Sequence, residues 1–162
     1  MKPEARSALF LASAAVAAAA FAQPVAEGGR KFVTTLTGQA ELDGGLLQAD
    51  MDGTGIAHVT VNHGQGRVCW SLENLANLDT LVAAHIHEAP RNRSGGIRIS
   101  FFHFGQAVDL EDCVEVGDTP FPFDRNRLRD ILKNPENYYV NIHTTAFPSG
   151  AIRGQLSRGK QD

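Results

Sequence analysis

Ile56-Ala57-His58-Val59-Thr60-Val61-Asn62-His63-Gly64-Gln65-Gly66-Arg67-Val68-Cys69-Trp70-Ser71-Leu72 decides the fold class. Ala57, Val59 and Val61 recur at every second position before a five-residue break. Val68, Trp70 and Leu72 do the same after it. A period of two is that of a strand whose side chains alternate between two faces. The break is rich in Gly and Asn, which tolerate the backbone angles of a tight turn. The stretch therefore reads as a β-hairpin with one apolar face.

Outward from it, short β-rich runs recur at residues 31–42, 80–87, 97–104, 110–116, 138–143 and 151–156. Asp124 stands where an N-cap would, with Leu128, Ile131 and Leu132 on one face of a helix near 124–133 and Asn134-Pro135 ending it. Seven or eight short strands and one helix predict an all-β, antiparallel, Greek-key-like sandwich or barrel. The stretch from Asp43 to Gly55 reads as a solvated loop. Its Asp43, Asp50 and Asp52 lack EF-hand spacing.

The first residues carry an export pattern. Lys2 and Arg6 precede an apolar run from Leu9 to Phe21, and Ala20-Phe21-Ala22 offers a cleavage site before Gln23. The expected organisation is a signal peptide at 1–22, a lead-in at 23–31, one domain at 32–157 and a tail at 158–162. Cleavage leaves 140 residues with 13 basic and 17 acidic side chains, a net charge of −4. That balance argues against nucleic acid and anionic lipid as partners. No later segment is apolar for long enough to cross a bilayer, so no membrane association is expected once the signal is removed. The expected location is secreted or periplasmic. Cys69 and Cys113 then predict one disulfide, on the outer faces of their strands by parity.

Parity also sorts the polar residues. Val82, Ala84 and Ile86 share one face of their strand, and His85 and His87 the other. Val140 and Ile142 face the core, whereas Asn141 and His143 face out. Ile152 and Leu156 face in, and Arg153 faces out. Two histidines at i and i+2 of a strand, joined by a third from a neighbour, suit one metal ion, and imidazole suits copper and zinc. His103 shares the parity of Ile97, Ile99 and Phe101, which makes it packed rather than a fourth ligand unless a bulge shifts the register. The competing reading is structural: His143 and Arg153 as a clamp holding the last hairpin on the sheet.

Ala83-Ala84-His85-Ile86-His87, and then Tyr138-Tyr139-Val140-Asn141-Ile142-His143-Thr144 with Phe147-Pro148-Ser149-Gly150-Ala151-Ile152-Arg153-Gly154-Gln155-Leu156, resemble the signatures of the CHRD domain, first described in chordin. The resemblance runs from about Phe32 to Leu156. It implies a secreted binding module of immunoglobulin-like or superoxide-dismutase-like fold. Separately, His85-Ile86-His87-Glu88 is similar to the stretch that supplies two copper ligands in Cu/Zn superoxide dismutase, with His143 and Arg153 following in the corresponding order. No equivalent of the bridging histidine or zinc set is present. These likenesses imply one copper ion on His85, His87 and His143. The expected function is a binding module for metal, protein or glycan rather than an enzyme. A dismutase-like copper enzyme using Arg153, or a structural surface protein, are the alternatives.

Overall fold

The hairpin forms where the alternation places it. In the computed structural model, which describes residues 28–118 and 120–158, strands β2 (Thr54–Asn62) and β3 (Arg67–Ala76) pair Ala57 with Leu72, Val59 with Trp70 and Val61 with Val68. The turn is closed by the Asn62 side-chain oxygen, which accepts from the Gln65 amide at 2.9 Å. Gly66 takes φ +74°, a conformation that costs glycine little. The expected signal peptide, most of the lead-in and the end of the tail lie outside the described residues.

Strand β1 (Arg30–Thr37) pairs antiparallel with β2. It stops earlier than the sequence run to Leu42 suggests. The Thr37 side chain accepts from the Ala40 amide at 3.3 Å and caps helix α1 (Gly38–Asp43). The cap, followed by the helix formers Gln39, Ala40, Glu41 and Leu42, overrides the β-rich run before it.

Strands β4 (Leu81–Glu88), β5 (Gly96–Phe102) and β6 (Glu111–Glu115) follow. Helix α2 (Arg125–Lys133) and a 3-10 turn (Pro135–Asn137) come next, and then β7 (Tyr138–Thr144) and β8 (Ile152–Gln155). All eight strands form one antiparallel sheet in the order β5-β4-β7-β8-β1-β2-β3-β6. The pairs β4–β7 and β3–β6 are distant in sequence, which is the Greek-key character expected. The sheet curls into a nearly closed barrel. At the gap between its edges, Trp70 of β3 stacks on Phe101 of β5 at 4.6 Å, and the Trp70 indole donates to the Asp109 carbonyl at 2.9 Å.

Phe32, Leu36, Val59, Trp70, Ile86, Ile99, Val140 and Ile152 fill the interior, joined by Leu128 and Ile131 from α2. The Asp124 carboxylate accepts from the Arg127 amide at 2.8 Å, the cap its position predicts. Cys69 and Cys113 lie directly opposite across β3 and β6 and form the expected disulfide. Cys69 is buried rather than displayed on an outer surface. Closing a loop with a sequence separation of 44 contributes about 4 kcal/mol on a chain-entropy account.

Two sequence expectations need correction. Asp50 is not solvated: it is buried, and its carboxylate accepts from the Gly53 amide at 3.1 Å, tightening the turn before β2. In β5 two register shifts against β4 break the parity, so that Ile99 pairs with Ile86 but Ile97 pairs with His87 and Ser100 with His85. Ile97 and Ile99 therefore do not share a face.

Candidate metal centre

Alternation is obeyed in β4 and β7, but neither face reaches solvent. All seven residues of β7 are buried, as are Ala83 to His87 in β4. His85, His87, His143 and Arg153 lie on the face opposite the core, as parity predicts, but that outer face is not open to solvent. They are 4 %, 8 %, 8 % and 1 % exposed. The reason is a cover that strand periodicity does not encode. Helix α1 and the chain after it, the loop between β4 and β5, and the turn between β7 and β8 fold over this side of the sheet. Asp50 donates its amide to Ala151, and Ser94 donates its hydroxyl to the Gly44 carbonyl, both at 3.0 Å.

Under that cover the register sets the histidines side by side. Ala83 pairs with His143, His85 with Asn141, and His87 with Tyr139. One ring nitrogen from each of His85, His87 and His143 lies within 4.8 Å of the others. Metal–nitrogen bonds of about 2.0–2.1 Å place donors no more than about 4 Å apart, so closing on one ion needs a shift of less than about 1 Å.

The hydrogen bonds fix which nitrogens are available. His87 Nδ1 donates to the Gly95 carbonyl at 2.9 Å, and His143 Nδ1 donates to the Pro148 carbonyl at 3.0 Å. A carbonyl only accepts, so both Nδ1 atoms carry the proton and both Nε2 atoms are lone pairs. This is how metal-ligating histidines are commonly oriented. His85 Nδ1 approaches His143 Nε2 at 3.2 Å, so its proton points there. His85 Nε2 and His87 Nε2 are buried without a partner. Each such orphan costs about 1–3 kcal/mol, which an ion would repay.

Electrostatics keep the set neutral. Burial pushes His85 down to about 3, helped by His143, His87 and His103. Burial also takes His87 down to about 4, against the hydrogen bond to Gly95, with Arg153 and Arg98 acting in the same direction as burial. His143 is lowered by burial as well. Neutral imidazole is the form a metal requires.

Arg153 joins the cluster from the far side, and both its terminal nitrogens are engaged. Its guanidinium lies 3.5 Å over the Tyr139 ring, whose other neighbour is His87, stacked at 4.9 Å. It donates to the carbonyls of Arg93 and Arg91 at 3.1 and 3.2 Å. Only a residue without Cβ fits at Gly44, against which the guanidinium packs. His103 does not join the three. It follows the end of β5, half-buried, with its ring bonded to the Gln106 side chain.

Several residues of this neighbourhood were not singled out as site residues by the sequence. Glu41 of α1 is buried, accepts from the Asn141 amide, and is pushed up to about 7 by burial, against the pull of Arg153. Tyr139 is the platform between His87 and Arg153. Phe121 meets His85 edge-on at 6.0 Å. Ser100 Oγ and Asn141 Oδ1 are two further buried atoms without a hydrogen-bond partner. Only Tyr139 and Asn141 carried a sequence signal, by parity with His143.

Against known proteins, the CHRD domain model matches residues 32–156. No curated protein matches this chain, and no solved structure matches it.

Proposed function

The chain belongs to the CHRD domain family, a family of binding modules, and from that premise we propose that it works outside the cytoplasm as a metal-binding module holding one copper ion on His85, His87 and His143. The observation that carries this reading is the pair of bare, buried Nε2 atoms on His87 and His85, in a set where backbone carbonyls fix the tautomers of His87 and His143. Such atoms are costly without a ligand and productive with one. Copper heads the affinity order of divalent ions at nitrogen sites. The disulfide supports an oxidising compartment, as does the export pattern at the N-terminus.

Binding rather than turnover is favoured by Arg153. A dismutase-like enzyme needs a cation facing the metal to guide an anion in. Here the guanidinium is spent on two carbonyls and a tyrosine ring.

Calorimetric titration of the purified protein with copper, as Cu(II) in air and as Cu(I) under anaerobic conditions, tests the reading, with His85→Ala and His143→Ala alongside. The expected result is submicromolar, one-to-one binding that weakens at least about 100-fold in either variant, without superoxide turnover. Weak binding that neither substitution changes would sink the proposal and leave the histidines a structural cluster.

A further inference from the structure

We infer that the three-histidine site takes copper as the monovalent ion, Cu(I), in preference to Cu(II) and Zn(II). The inference rests on the metal-binding reading above and adds the charge of the ion to it.

The number of donors is the first ground. Among the described residues, His85, His87 and His143 stand alone, with no carboxylate or thiolate joining them. A zinc ion held by three protein ligands takes water as its fourth, and Cu(II) prefers square-planar or tetragonal sets. Cu(I), a closed-shell ion, is content with two or three donors. Two of the walls are aromatic rings that bring no further ligand. Phe121 meets His85 edge-on at 6.0 Å, and Tyr139 stacks on His87 at 4.9 Å.

Charge is the second ground. All three ligands are neutral, so the filled site carries the whole charge of its ion. The cost of burying an ion grows with the square of its charge, so a divalent ion is penalised about four times as heavily as a monovalent one. Among the described residues nothing offsets that. The buried carboxyl nearby, Glu41, accepts from the Asn141 amide and is not one of the grouped ligands. Arg153, over the Tyr139 ring that stacks on His87, adds positive charge to this side of the site. The divalent affinity order, which puts Cu(II) first, holds where each ion obtains its own geometry. Here geometry and charge both act against the divalent ions.

The test compares three titrations of the purified, metal-free protein: Cu(I) under anaerobic conditions against bicinchoninate, and Cu(II) and Zn(II) against nitrilotriacetate. Cu(I) is expected to bind more than about 100-fold tighter than either divalent ion. A second measurement uses Ser100→Asp, which places a carboxylate opposite His85 in the register. With the fold checked by circular dichroism, it should move the preference toward Cu(II) and Zn(II) by at least tenfold. Equal or tighter wild-type binding of Cu(II) or Zn(II) overturns the Cu(I) assignment and leaves the metal site standing. An unmoved ratio in a folded Ser100→Asp variant also overturns it. Failure of all three ions to bind overturns the site itself.

Discussion

Strands β1 to β3 and strands β4, β7 and β8 belong to one sheet and obey the same alternation, yet they end differently. In β1, Phe32, Thr34 and Leu36 are buried while Lys31, Val33 and Thr35 are exposed. In β7 nothing is exposed at all. The first half needs only apolar residues on one face and anything soluble on the other. The second half puts His85, His87, Asn141, His143 and Arg153 on its outer face and then covers them. Burying that much polarity without full hydrogen bonding is unfavourable, so the difference marks where the molecule spends stability on something other than folding.

The comparison breaks most sharply at Arg153. Arg153→Met removes the donor to two buried carbonyls and to the Gln155 side chain, and should cost about 2–5 kcal/mol in chemical denaturation. A cost below about 1 kcal/mol would mean that the cover is loose and the two halves alike. Acid is the next lever. Burial holds His85 and His87 below their ordinary value, so the folded state binds fewer protons than the unfolded one. Their contribution is fully present above pH 6.5 and is lost as pH falls toward about 4 and about 3. In the metal-free protein each should remove roughly 2 kcal/mol by pH 5. Denaturation at several pH values reads this, and His87→Phe should flatten the slope by about its own share. Glu41, raised to about 7 by burial, has the opposite sign: its contribution is present below about pH 4.5 and lost as pH rises through 7. Glu41→Gln should therefore remove a decline in stability between those values. The smallest effect belongs to the other half. Val33→Thr, at a position 57 % exposed on β1, should stay within about 0.5 kcal/mol.

What the sequence disclosed follows the same division. The hairpin of β2 and β3 and the capped helix α2 are local objects, written in an alternation, a Gly-rich turn and an Asp three residues before the amide it accepts from. The gathering of His85, His87 and His143 was half legible: parity puts them on the face opposite the core, and the structure supplies the pairing of β4 with β7. Their burial was not. It depends on the carbonyls of Gly95 and Pro148, from the loops that follow β4 and β7, and on Glu41, from a helix 100 positions away from Asn141, and a backbone carbonyl leaves no trace in a side-chain pattern. The bulges of β5 hid Ser100 for a related reason: each inserted residue reverses parity, and nothing in Gly96-Ile97-Arg98-Ile99-Ser100 marks where the slip occurs.

The pairing of β4 with β7 also orders events in time. A chain emerging residue by residue, from a ribosome or a translocation pore, presents His85 and His87 early, but His143 lies 58 positions beyond His85. The third donor arrives only when two strands distant in sequence have found each other, a slow, long-range step. Until then the growing chain offers a two-histidine site that competes poorly for metal. On the metal-binding reading, the choice of ion is thus deferred to whichever compartment sees the barrel close.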